Sequence, residues 1–124
     1  MGKVYLALFI ACLLVTGLDA FITYKALVLE KIPSLTELNP NVARVLEMPT
    51  PIREAILSLM VVAGSALINL IGYTLYVVAK RLNLSEYINK KIPTLIGISP
   101  PLLFLTLETY TVIHNITLYL TLAL

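Results

Sequence analysis

Two acids, Asp19 and Glu108, and the single histidine, His114, sit inside otherwise apolar stretches of this 124-residue chain. Carboxyl and imidazole groups in such surroundings can pass a proton, ligate a metal ion, or tie helices together. Their neighbours are patterned. Cys12, Thr16, Asp19 and Thr23 follow one another at spacings of four, three and four, which is one helical face. Ser58, Ser65, Asn69, Gly72 and Tyr76 form a stripe on a second stretch, with small residues that let helices approach closely. On a third, Glu108, Thr111, Asn115 and Tyr119 form a stripe with His114 on its flank. Tyr110, Thr117 and Thr121 lie on the opposite side of that helix. A helix polar nearly all round is expected to touch protein on more than one face.

Helical rise places these groups in depth. With the third crossing starting near Ser99, His114 and Asn115 lie about 22–24 Å along it, and Asp19 lies about 24 Å from Lys3. Glu108 is then about 14 Å from Ser99, and Asn69 about 16 Å from Lys80. Two polar layers are expected: Asp19 with His114 and Asn115, and Glu108 with Asn69. A carboxylate against lipid is costly, so Glu108 is expected to be protonated or paired.

Three roles are compatible with these residues. The leading one is structural: Thr16, Asp19, Thr23, Ser65, Asn69, Glu108, Thr111 and Asn115 lock helices by hydrogen bonds. The second is a proton or ion path, or a membrane-embedded enzyme, using Asp19 and His114 with Glu37 or Glu108. The third is a mixed carboxylate–His metal site around Asp19 and His114. A single His excludes a His-Glu-x-x-His zinc protease. One cysteine, Cys12, excludes an intrachain disulfide. No cofactor is called for, beyond a metal ion in the third reading. No complete catalytic constellation is present, so a non-catalytic accessory subunit of a larger membrane complex is expected. A small homo-oligomeric transporter is a further alternative.

The elements that must position these residues are membrane crossings. Hydrophobic residues make up 59% of the chain and charged residues 13%, with a mean hydropathy of +0.92. A soluble domain carries roughly 25% charged residues, so lipid must cover part of this one. Net charge is only +2, which argues against nucleic acid as a partner. The expected partners are the bilayer and other membrane subunits, or a second copy. The absence of Gln and the single Cys fit a thermophile's avoidance of labile residues.

Crossings are expected at about 4–29, 52–80 and 100–124, in one polytopic membrane domain over 1–124. Thr50-Pro51 and Ser99-Pro100 read as hydroxyl caps before a first-turn proline. Asn39-Pro40 repeats the device before a short loop helix over Asn41 to Glu47, with Val42, Val45 and Leu46 as its apolar face. Leu84, Tyr87, Ile88, Lys91 and Ile92 read as an interfacial amphipathic helix that ends at Ile92-Pro93. The fold class is therefore all-α: three transmembrane helices, a loop helix and an interfacial helix.

Lysine and arginine set the orientation. Lys3, Lys80, Arg81, Lys90 and Lys91 fall on one side; Lys25, Lys31, Arg44 and Arg53 fall on the other, offset by four glutamates. The N-terminus is expected inside and the C-terminus outside, in the plasma membrane of a prokaryote. Val4 to Ala11 resembles a signal h-region, but apolar sequence runs well past Cys12, so an uncleaved first crossing is expected. The sequons at Asn83 and Asn115 are expected to be chance matches, one inside and one within the membrane.

Asp19, the run Tyr24-Lys25-Ala26-Leu27, the element Glu37-Leu38-Asn39-Pro40, and His114-Asn115 in the last helix together form a pattern. It resembles a family of small prokaryotic integral membrane proteins defined only as a domain of unknown function. The resemblance implies about three crossings and an uncleaved first helix, and no established activity. It draws attention to an outer-facing pocket that Asp19, Glu37, Asn39 and His114 would line; the simpler alternative is that Asn39 only caps its helix and Glu37 is solvated.

Overall fold

The computed structural model describes residues 2–29, 40–83, 86 and 90–123. Among these the chain is all helical, with no strand. Helix α1 spans Gly2–Tyr24 and runs on into a wide π-helical turn, Lys25–Leu29. The short α2 is Pro40–Leu46, α3 is Thr50–Arg81 and α4 is Ile92–Ala123. Three helices are long and apolar enough to cross a membrane, so the protein is an all-α membrane protein. α1, α3 and α4 pack against one another pairwise, most extensively α3 on α4.

The bundle is lined by small and polar groups and coated with oil. Cys12, Ser65, Asn69, Gly72, Ala79, Gly97 and Pro101 are buried. Leu14, Leu59, Leu67, Leu103 and Phe21 are exposed. This is the expected sorting where lipid is as apolar as leucine and helices associate by close packing and hydrogen bonds.

The tightest point is where Gly72 of α3 meets Gly97 of α4. A Cβ on Gly72 would collide with the Gly97 carbonyl oxygen and lie 3.0 Å from Pro101 Cδ. A Cβ on Gly97 would meet the Tyr5 hydroxyl and lie 2.6 Å from Tyr76 Cβ and 3.2 Å from the Gly72 carbonyl oxygen. Gly72 thus turns a Cα hydrogen toward the Gly97 carbonyl, a weak but favourable contact. Pro101 contributes to this arrangement. It has no N–H, so the Gly97 carbonyl four residues earlier has no helical donor. That carbonyl faces Gly72 instead. Tyr5 from α1 wedges into the same crossing and packs edge-on against Tyr73 at 5.7 Å.

Proline therefore does not mark the start of the third crossing where the sequence suggested. α4 begins at Ile92, not at about residue 100, and Pro100 and Pro101 lie inside it. Pro93 occupies the first turn, where a missing N–H has no consequence. The Ser99 hydroxyl donates to the Leu95 carbonyl of its own helix rather than capping a new one. Ile92-Pro93 opens α4 instead of ending an interfacial helix; Leu84, Tyr87 and Ile88 lie outside the described residues. α3 ends at Arg81, and Asn83, just past its Leu82 cap, takes the left-handed φ of 56° that suits a helix terminus.

The Thr50 cap is also corrected. Pro49 holds the cap position without a side-chain bond, and Thr50 is already helical. The Thr50 hydroxyl accepts from Arg53 Nη2 at 3.0 Å. Arg53 ties this end of the bundle together. Its Nη1 donates to the Leu46 carbonyl at the end of α2, and its Nη2 to the Tyr24 hydroxyl of α1 at 3.1 Å. Its guanidinium also lies over the Tyr24 ring. The loop helix appears close to its expected place, with Val45 buried.

The glycine crossing generates a comparison. Gly72→Ala is expected to destabilise the bundle by about 1–3 kcal/mol, as overpacking does. Gly17→Ala and Gly64→Ala, where a Cβ meets nothing within 4 Å, are expected to be tolerated. Denaturation midpoints in detergent check this; equal effects at all three positions would refute the crossing.

Candidate functional site

Two polar clusters occupy the seams between the helices. The first joins α1 to α3. Thr16 Oγ1 donates to the Cys12 carbonyl one turn back and lies 3.3 Å from Ser65 Oγ. Asn69 Nδ2 donates to the Ser65 carbonyl at 2.9 Å and lies 3.7 Å from Cys12 Sγ. Asn69 Oδ1 is buried without a hydrogen-bond partner among the described residues. Cys12 and Ser65 are fully buried, so Cys12 is shut away from reactants.

The second cluster joins α1 to α4. Asn115 Nδ2 donates to Asp19 Oδ1 at 2.8 Å. The Asp19 and Glu108 side chains line one cavity. Glu108 and Asn115 stand two turns apart on one face of α4. The cluster opens onto a cavity of about 280 Å³ that Thr16, Thr23, Gly64 and Phe104 also line. Leu46 of α2 belongs to the same lining.

The expected Asp19–Asn115 contact is present, whereas the other two expected pairings are not. Glu108 lines the same cavity as Asp19, while Asn69 is engaged with Ser65 and Cys12. The reason is the start of α4. Counted from Ile92, Glu108 lies about 24 Å along the helix, level with Asp19 at about 26 Å from Gly2. The count from Ser99 had placed it a layer too shallow.

His114 does not approach Asp19. It is exposed and makes no hydrogen bond or ion pair among the described residues; its ring stacks on Tyr110 at 6.4 Å and 12°. The Asp19–His114 metal site is therefore not assembled within one chain. Among the described residues no group of three or more His, Cys, Asp or Glu side chains gathers. Glu37 and Asn39 lie outside the described residues. Thr23 lines the cavity, and Thr111 donates to the Leu107 carbonyl at 3.0 Å.

The other face of α4 carries a polar stripe. Thr106, Tyr110, His114, Thr117 and Thr121 are all exposed, Tyr110 to 72%. Sequence reasoning had placed Tyr110, Thr117 and Thr121 opposite the acid, and that is where they lie. It missed Arg53 as a staple, although an arginine in the first turn after a Pro-x-Pro loop was a signal. It also missed Gly97, which the spacing of four before Pro101 marks as a freed carbonyl.

A stability comparison separates the two faces. In dilute micelles Asn115→Leu is expected to cost about 0.6 kcal/mol, the average for an interhelical hydrogen bond in a membrane protein. His114→Ala is expected to stay within about 0.5 kcal/mol of the parent, as an exposed substitution does. An unfolding titration reads both; a larger loss at His114 than at Asn115 would overturn this assignment of faces. No family model, curated protein or solved structure matches the chain.

Proposed function

We propose that this chain is a non-catalytic, membrane-embedded packing subunit of a larger membrane assembly, held there by the outward face of α4. One observation carries the reading: a row of polar side chains stands exposed on a helix that crosses lipid. Polar and ionisable groups in a crossing face protein or water rather than acyl chains. The cavity-facing side of α4 is already engaged by α1 and α3, so the outward row is open to a protein outside this chain. The partner is another membrane subunit or a second copy. The positive-inside bias supports an N-terminus inside, in a prokaryotic plasma membrane. Purification from native membranes in mild detergent is expected to yield a complex larger than one chain. A homogeneous monomer would overturn the proposal.

The cavity favours a second reading. Two carboxyls that line one cavity with the Thr16 and Thr23 hydroxyls supply groups that can take up and release a proton, so the chain would serve a proton pathway through Asp19 and Glu108. His114, turned away, has no place in it. Asp19→Asn and Glu108→Gln are then expected to abolish proton flux into proteoliposomes, read with an entrapped pH dye, while both proteins stay folded. Flux equal to that of empty liposomes for the parent protein would rule this reading out.

A further inference from the structure

The end of the bundle that carries the N-terminus concentrates positive charge. Lys3, Lys80, Arg81, Lys90 and Lys91 are all exposed there, offset by a single glutamate, Glu86. The Gly72–Gly97 crossing fixes their level. At the helical rise, Lys80 and Arg81 lie about 12–14 Å beyond it along α3, and Lys90 and Lys91 about 9–11 Å beyond it along α4. Lys3 stands two residues from Tyr5, which wedges into the same crossing. Three helices thus deliver their cations to one end of the bundle.

The chain supplies little to compensate this charge. α4 has no acid in its first turn and is preceded by two lysines. A helix N-terminus already carries partial positive charge, so cations before it raise the local potential further. Lys3, Arg81 and Lys90 make no hydrogen bond or ion pair among the described residues, and Lys80 lies over the Tyr76 ring. The opposite end differs. Its four cations are offset by four glutamates, and Arg53 directs its donors to Leu46, Tyr24 and Thr50.

Helix length says what meets the basic end. α3 and α4 have 32 residues each, about 48 Å of helix. A bilayer with its headgroups is roughly 40–45 Å thick, so the ends of both helices stand in the headgroup layer. Lys80, Arg81, Lys90 and Lys91 are therefore level with lipid phosphates. A zwitterionic headgroup brings its own cation into this cluster; a headgroup of net negative charge does not.

We infer that this end recruits anionic phospholipid, whose phosphodiester groups sit among Lys80, Arg81, Lys90 and Lys91. The chain has no tryptophan, so an introduced one reports its own lipid neighbours. Val78→Trp places it one turn inside the basic end and Ile52→Trp near the opposite end, both at exposed positions of α3. Each protein is reconstituted in phosphatidylcholine vesicles containing a fixed fraction of brominated phosphatidylglycerol or of brominated phosphatidylcholine, in both leaflets. Bromine quenches tryptophan only at close range, so the comparison reads local lipid composition whichever way the protein inserts. At Val78→Trp, phosphatidylglycerol is expected to be enriched about fivefold or more, the factor that one interfacial cation supplies. At Ile52→Trp the two lipids are expected to quench alike. Raising the salt to about 1 M, where charges are screened within about 3 Å, is expected to remove the enrichment. Combining Lys80→Gln, Arg81→Gln, Lys90→Gln and Lys91→Gln is expected to do the same at low salt. Equal quenching by both lipids at Val78→Trp would overturn the inference. So would equal enrichment at the two probes, or an enrichment that survives either salt or the four substitutions. A basic end without lipid preference that retains polyglutamate would assign the charge to an acidic protein partner and overturn it as well.

Discussion

The backbone contact between Gly72 and Gly97 governs the spacing of the whole bundle. Between lipid-bathed helices the hydrophobic effect supplies no net pull, so close approach must be achieved by removing side chains. Here both sides of the crossing are bare, and a proline one turn later frees the carbonyl that fills the gap. With α3 and α4 this close, Tyr5 of α1 fits against the crossing, and α1 is drawn in along its polar face. The Thr16–Ser65 approach and the Asp19–Asn115 bond follow from that placement. The buried Tyr5 hydroxyl has no hydrogen-bond partner among the described residues, a cost that the glycine crossing and the edge-on ring contact offset.

What was legible in the sequence was whatever depended on composition and periodicity. Long uncharged runs gave the crossings, and three-and-four spacing gave the faces: Cys12 with Thr16, Ser65 with Asn69, Glu108 with Asn115. What was not legible depended on a choice between equivalent local signals. Ile92-Pro93 and Ser99-Pro100 are both acceptable helix starts, and a proline inside a crossing is tolerated when a neighbouring helix accepts the freed carbonyl. Whether a neighbour does so is a tertiary fact. The seven residues from Ile92 to Ser99 shift Glu108 by about 10 Å, one polar layer, toward the level of Asn69 rather than that of Asp19. His114 shows the same limit on a smaller scale. It adjoins Asn115 in sequence, but a step of 100° turns it away from Asp19 and toward the outside.

The two ends of the bundle use charge differently from its middle. At one end Arg53 gathers Tyr24, Thr50 and the end of α2, and Lys25 lies over the Tyr119 ring. At the other, Lys80 lies over Tyr76. These cations sit where water and headgroups lower the cost of their charge, and the aromatic rings anchor them at that level. Between them Asp19 accepts from Asn115 and shares its cavity with Glu108.

Threonines alone would not demand a partner for the outward face of α4. A threonine on a lipid-facing helix can return its hydroxyl to its own backbone, and Thr106, Thr117 and Thr121 do so. Tyr110 has no such recourse, because a phenol hydroxyl stands too far from its own turn. Nor is the headgroup region within reach. Tyr119, beneath Lys25, marks the interface on that side, and Tyr110 lies about 13 Å deeper along the helix. Stacking on His114 shields the ring faces but satisfies neither the phenol O–H nor the imidazole N–H. Those two donors, exposed at depth with acceptor oxygens on either side, are the part of the surface that lipid cannot complete.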